Sequence, residues 1–335
     1  MKGRIAAGIF AVLAVLAVVV PLPLLVIAPG SAVSVGPRVE LGRPPDPLSG
    51  SLLLTTVRIF QPSALGAVRA WLADHEEVRS RGDVVPEGVD TKEYEEAQRE
   101  LFRESSEVAA AVGLRAAGQA VDVSGAGARV ANVVKGSPAS EGLGVGDVIT
   151  AIDGQPVKLA SDLVAALASR SAGDEVVLTV RRQVDGGPGD GKQVDQEVRL
   201  RLREVAELGR PALGVAVTTV DLKINLPFPV QVDQGEIGGP SAGLMIALTV
   251  YDLTDPADLT RGRTIAGTGT IDLDGEVGPV GGVDSKVVAA EEAGASLFLV
   301  PRDEAAQAQE AAGDDLEVVP VGTVDDALTA LRQAA

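Results

Sequence analysis

Two glycine-rich turns, each leading straight into an uncharged run, constrain this chain more than anything else in it. The first is Gly238-Gly239-Pro240-Ser241-Ala242-Gly243, followed by the stretch Leu244 to Val250. The second is Gly281-Gly282-Val283-Asp284-Ser285-Lys286, followed by Val287-Val288-Ala289-Ala290. Such a turn before an apolar run predicts a helix start, with unpaired backbone N–H groups and a partial positive charge. At Ser241 those N–H groups can hold an oxyanion. At Lys286 the same field disfavours the ammonium, so the amine can be neutral near pH 7 and act as a base. The pairing predicts a hydrolase with a serine nucleophile and a lysine base.

Composition removes the competing chemistries. The chain has no Cys, which excludes thiol nucleophiles, disulfides and zinc-thiolate sites. Its one His, His75, lies in Trp71-Leu72-Ala73-Asp74-His75-Glu76-Glu77, far before Ser241. Those charged neighbours predict a solvated helix face, not a triad member. One His cannot build a metal cluster, so no metal and no cofactor are expected. A net charge of −18 and a pI near 4.5 argue against nucleic acid as a partner.

The N-terminus reads Met1-Lys2-Gly3-Arg4 and is then uncharged from Ile5 to Ile27. As a helix this run would span roughly 35 Å, enough for a bilayer core, although Pro21 and Pro23 would end the regular part early. Lys2 and Arg4 favour a cytoplasmic N-terminus, which puts everything after Gly30 outside the membrane. Residues 1–30 are therefore expected to be a single-pass transmembrane anchor. The competing reading is a cleaved signal peptide, with Gly30-Ser31-Ala32 as the processing site.

Residues 31–112 are expected to be an extracytoplasmic connector. Leu52 to Ile59 reads as a strand, and Leu65 to Arg79 and Thr91 to Val112 read as polar amphipathic helices. No chemistry is apparent there.

Residues 113–203 alternate short strands and turns. Ala128 to Val134, Val145 to Ile152 and Glu175 to Arg182 read as strands, Asp153-Gly154 as a turn, and Ser161 to about Arg170 as a helix. Ser137-Pro138-Ala139, Gly146-Asp147-Val148-Ile149 and Asp153-Gly154-Gln155-Pro156-Val157 together resemble a bacterial PDZ domain, a mostly-β module. The resemblance implies a groove in which a peptide C-terminus adds as a strand. Placed on this sequence, that groove would lie between Ala128–Val134 and Asp162–Arg170, with Ala128, Val130 and Val133 as peptide-binding residues and Ser124-Gly125-Ala126-Gly127 as the carboxylate loop. Gly186-Gly187-Pro188-Gly189-Asp190-Gly191-Lys192-Gln193 nearly spells a phosphate-binding loop. It ends in Gln, without the hydroxyl that would ligate Mg²⁺, and precedes a strand pattern, so it reads as a hairpin tip and no ATP site is expected.

Residues 205–335 carry an α/β pattern. Strands are expected at Val215 to Val220, Phe228 to Val232, Ser296 to Val300 and Glu317 to Val321. Helices are expected at Ala242 to Leu253, from an Asp284 cap to Gly294, and after Thr323. The serine turn, Gly267-Thr268-Gly269 and the lysine turn, in that order, resemble the proteolytic domain of Lon proteases. The resemblance implies that Ser241 is the nucleophile, that Lys286 is the general base and that the Thr268 hydroxyl orients the lysine amine. Backbone N–H groups near Gly239 and Ser241, flanking Pro240, would form the oxyanion hole. Glu236 is a weak supporting candidate. The whole plan is similar to the YlbL-like family of membrane-anchored proteases, a Lon-type proteolytic domain without the ATPase module. It implies an ATP-independent serine endopeptidase acting on polypeptides outside the cell membrane, assembled as a homo-oligomer. The alternative is a non-enzymatic PDZ adaptor at the membrane surface.

Overall fold

The stretch from Leu24 to Ala116, which takes in the end of the expected anchor and the expected connector, supplies half of a sheet. It contributes strands β1 (Leu24–Ser34), β2 (Val39–Leu41), β3 (Ser51–Phe60) and β4 (Glu77–Ser80), with helices α1 (Ala64–Leu72) and α2 (Thr91–Ala116). The computed structural model describes residues 18, 20–86, 88–184, 192–205 and 210–333. They fall into two units: the chain up to Val121 with the chain from Leu226 onward, and Asp122–Asn225 between them. The sequence boundaries at 112 and 205 therefore move to 121 and 226.

The inserted unit is a β-sheet module with one helix. Its elements are β5 (Asp122–Ser124), β6 (Ala128–Val133), β7 (Val148–Ile152), α3 (Ala160–Ala168), β8 (Glu175–Val184), β9 (Lys192–Arg201), β10 (Val215–Thr219) and β11 (Lys223–Asn225). The main sheet runs β9-β8-β7-β6-β10. Val215–Thr219, expected to open the C-terminal domain, is instead an edge strand here, antiparallel to β6 with Val217 opposite Val130. Strands β8 and β9 form a hairpin from Glu175↔Arg201 to Val184↔Lys192, and the glycine-rich stretch 185–191 lies outside the described residues.

The chain then returns to the first unit through β12 (Val230–Val232), α4 (Gly243–Asp252), β13 (Thr264–Gly267), α5 (Val283–Glu292), β14 (Leu297–Pro301), α6 (Ala305–Ala311), β15 (Glu317–Val321) and α7 (Val324–Gln333). The sheet order is β15-β14-β13-β3-β1-β4. It is parallel from β15 to β3 and antiparallel from β3 to β4. Both faces are covered. Leu52, Leu54, Ile265, Leu297 and Leu299 pack with α4, whereas Leu53, Ala266, Phe298 and Val300 pack with Val283 and Val287 of α5. This is the two-residue period of strands buried on both sides.

Every residue of α4 is buried, because β3 and β13 lie under one side and α2 crosses the other. Gly113 sits at that crossing, where a Cβ would come within 2.3 Å of the Ala247 carbonyl oxygen. No larger residue allows α2 so close.

The expected anchor falls mostly on residues 1–17, outside the described residues. Its last part does not belong to a span: Leu24 to Ile27 pair with Ser80 to Glu77 in the sheet. Among the described residues no helix is long and apolar enough to cross a membrane.

Candidate active site

The serine turn is held from three sides. Pro240–Ala242 forms a single 3₁₀ turn that runs into α4, with Gly239 before it at φ 84°. The Ser241 carbonyl oxygen accepts the N–H of Gly269 at 2.9 Å and the hydroxyl of Thr268 at 3.2 Å. Thr268 follows directly on β13 and ties back to the sheet by donating its own N–H to Leu299 O at 3.0 Å.

Lys286 reaches the same point from α5. Its ammonium donates to Thr268 Oγ1 at 3.0 Å, so one hydroxyl links the lysine amine to the serine backbone. The helix begins at Val283 behind Gly282, not at an Asp284 cap. Gly282 has φ 66°, and a Cβ there would lie 2.8 Å from Val57 Cγ1, so both backbone angle and space call for glycine. Thr268 thus links the Lys286 amine to the Ser241 backbone, although the three residues come from three separate elements.

Burial sets the electrostatics. Lys286 is 3% exposed and Thr268 is fully buried. Removal from water pushes the Lys286 ammonium down from 10.5 to about 8, and the nearby Glu304 carboxylate pulls the other way. With a pKa of 8, roughly one amine in ten is neutral at pH 7, against one in several thousand for a free lysine. The opposing carboxylate is that of Glu304. It stands on the short turn Arg302–Glu304 before α6, and both its carboxylate oxygens take the Val280 N–H, at 3.0 and 3.2 Å. Burial pushes its own carboxyl up, while the Val280 hydrogen bond and the Lys286 charge pull it down.

Helix α2, in which the sequence showed no chemistry, braces the serine turn. Gln98 O accepts the Gly239 N–H at 2.8 Å, and Ser105 Oγ donates to Pro240 O at 3.0 Å. The first contact corrects an expectation, because a Gly239 N–H directed at Gln98 is not an oxyanion donor. Another donor at the turn is the N–H of Ser241 itself, in the first turn of a helix where such groups lack intrahelical acceptors. Glu236 is exposed on the preceding loop. His75 is exposed in a turn after α1 at φ 64°, not on a helix face, and its carbonyl accepts the Ser285 hydroxyl at 2.7 Å. Among the described residues no group of three or more acidic, His or Cys side chains could hold a metal.

In the inserted unit the groove differs from the sequence reading. Strand β6 is paired on both sides, by β7 and β10, and Ala128 and Val130 are fully buried in the core. Ala128 and Val130 therefore have no free edge to offer a peptide, and Val133 is paired with Val215 on the β10 side. The free edge belongs to β10, and between it and α3 lies a groove of about 120 Å³ lined by Leu163, Val164, Leu167, Leu213, Val215 and Val217. That is several times the roughly 30 Å³ of one water. Ser124–Gly127 is not its carboxylate loop, since the N–H groups of Ala126 and Gly127 bind Val220 O and Lys158 O.

Residues 115–200 match the PDZ domain family, and residues 221–333 match the Lon protease (S16) C-terminal proteolytic domain. The chain pairs a PDZ domain with a Lon-type proteolytic domain. The chain is 33% identical to Lon protease 2 of Bacillus subtilis over 116 residues, 35% of this chain and 20% of that protein. It is 36% identical to the Lon protease of Methanosphaera stadtmanae over 143 residues, 38% of this chain and 16% of that protein. The chain thus spans about a fifth of the length of these relatives. The PDZ domain of the SdrC-like protein from Listeria monocytogenes also matches, 26% identical over 28% of this chain and 87% of that chain, with a TM-score of 0.23. The Lon-type match begins at 221, so strands β1 to β4 and helix α2, which complete the catalytic unit, lie outside it.

Proposed function

We propose that the protein is a serine endopeptidase in which Ser241 attacks the peptide carbonyl and Lys286 is the general base. The supporting observation is the chain of contacts from the buried Lys286 Nζ through Thr268 Oγ1 to the Ser241 carbonyl. In the neutral state the Lys286 amine takes the proton of Ser241 Oγ as the new C–O bond forms. It then returns that proton to the leaving amine as the C–N bond breaks. Water then gives a proton to the same amine and attacks the acyl carbon, and the amine returns that proton to Ser241 Oγ as the ester C–O bond breaks. The developing oxyanion is met by the Ser241 N–H at the start of α4, a donor type that contributes about 10²–10³ in rate. Thr268 keeps the amine at the serine turn by accepting from it while donating to the turn.

The substrates in this reading are extracytoplasmic polypeptides whose C-termini enter the groove between β10 and α3, with the carboxylate at the Ala212–Gly214 end. The uncharged stretch after Lys2 and Arg4 supports a single-pass anchor with a cytoplasmic N-terminus, and the Lon-type domain supports a homo-oligomeric ring. The stretch Gly186–Gln193 lacks the hydroxyl of a phosphate-binding loop, which supports hydrolysis without ATP bound by this chain. The test is cleavage of an unfolded protein such as casein by the full chain in detergent, without nucleotide. Cleavage by the wild type that disappears in Ser241→Ala, with unchanged circular dichroism, is the expected result. Retained cleavage in that variant removes the assignment, and a wild type inactive on all unfolded substrates favours the adaptor.

A further inference from the structure

Helix α1 is amphipathic the wrong way round for a water-facing surface helix. Ala70, its one fully buried residue, packs with Val26, Ala28 and Val78 on the sheet. Its bulky residues point outward: Leu65 is 59% exposed, Val68 54%, Trp71 78% and Leu72 71%. At 100° per residue these four fall within about 120° of the helix circumference, opposite Ala70. Single exposed apolar residues need no explanation, but a contiguous stripe ending in a tryptophan does.

The stripe adjoins the place where the uncharged N-terminal stretch joins the folded unit. Leu22 donates its N–H to Pro62 O at 2.9 Å, and Gln61 Nε2 donates to Leu22 O at 2.7 Å. Pro21 also bridges to Ser63, whose hydroxyl caps α1 by accepting the Gly66 N–H at 3.3 Å. Residues 5 to 20 contain no charge, and the last of them, Val20, is itself 46% exposed. The chain emerging from the apolar stretch is therefore fastened to the three residues just before the helix that displays Leu65, Val68, Trp71 and Leu72. A helix with its apolar stripe outward and a tryptophan in that stripe fits the headgroup boundary of a bilayer, where the indole ring meets apolar chains and water at once.

We propose that the outward face of α1 lies in the bilayer surface beside the anchor and fixes how the catalytic unit sits on the membrane. The inference rests on the reading of the uncharged N-terminal stretch as a membrane span. It names a second, interfacial contact that the span alone does not require. The occupant is lipid, because the stripe adjoins the segment that would enter the bilayer. With a net charge of −18 the attraction is apolar, so zwitterionic lipid suffices.

Trp71 is the only tryptophan in the chain and reports its own surroundings. The full chain is reconstituted in phosphatidylcholine vesicles, with and without brominated acyl chains, and floated on a density gradient. Flotation reads the span; quenching of Trp71 by bromolipid reads the face. The expected result is flotation with blue-shifted Trp71 emission, quenched by bromolipid and shielded from aqueous acrylamide. Flotation with Trp71 open to acrylamide and untouched by bromolipid overturns the inference and leaves the span standing. A chain that does not float overturns the span reading and the inference with it. A blue shift that grows with protein concentration in detergent, without bromolipid quenching, assigns the stripe to a second copy and also overturns it. Leu65→Ser with Leu72→Ser keeps Trp71 and should lose most of the bromolipid quenching while still floating and still cleaving peptide in detergent. Undiminished quenching in that double variant contradicts the assignment.

Discussion

Replacing Lys286 by Met should make the protein more stable, by an amount that the burial of the ammonium sets. The drop from 10.5 to about 8 means that charging this amine is harder in the folded protein than in the unfolded chain. At 1.36 kcal/mol per unit, the folded state carries a penalty of about 3 kcal/mol wherever the amine is charged, which means below about pH 8. Between pH 8 and 10.5 the unfolded chain binds more protons than the native one, so wild-type stability rises with pH across that window. Methionine keeps most of the volume and carries no charge. Thr268 is not orphaned by the change, because its hydroxyl still donates to Ser241 O. Urea denaturation followed by circular dichroism, on both proteins at pH 7 and pH 10, reads the difference. The Met variant should be about 3 kcal/mol more stable at pH 7, with the gap falling below about 1 kcal/mol at pH 10. Equal stability at pH 7, or a gap that does not narrow, refutes the claim that Lys286 is held against its charge.

Three further outcomes follow from the same geometry. Glu304→Gln keeps an acceptor for the Val280 N–H but removes the charge that favours the ammonium, so the midpoint of the pH–activity curve should fall below about 8; an unchanged or higher midpoint contradicts the coupling. Gly113→Ala should cost about 1–3 kcal/mol in urea denaturation, because its Cβ meets the Ala247 carbonyl; a gain, as for an ordinary helical Gly→Ala change, contradicts the close crossing. Val164→Asp, on the exposed rim of the PDZ groove, should weaken binding of a fluorescent peptide ending in leucine at least about tenfold, or roughly 1.4 kcal/mol, by anisotropy; equal binding places the ligand elsewhere.

The serine and lysine turns were legible in the sequence as helix starts because each is local. A glycine turn and the run behind it lie within a dozen residues, and they start α4 and α5 wherever the rest of the chain goes. What could not be read was pairing between distant segments. Ser51–Phe60 showed itself as a strand, but nothing in its composition says that Leu54 lies beside Gly267, far along the chain. The same blindness left α2 looking like a polar spacer, since its contacts to the serine turn come from Gln98 and Ser105, ordinary residues for an exposed helix face. The strand pattern of Val215–Thr219 was recognised and assigned to the neighbouring domain, because alternation marks a strand without naming its partner. Helix α6 escaped notice for a different reason: Ala305–Ala311 reads Ala-Ala-Gln-Ala-Gln-Glu-Ala and has almost no apolar periodicity. Glu304, just ahead of it, went unnoticed with it.

The most direct test of a Ser241 nucleophile activated by Lys286 is covalent labelling with a fluorophosphonate, the adduct being located by peptide mass spectrometry across a pH series. A single adduct on Ser241, forming faster as pH rises through about 8 and failing to form in Lys286→Met, is the predicted result. An adduct on another residue, or labelling of Ser241 at the same rate in the Lys286→Met protein, would contradict the account.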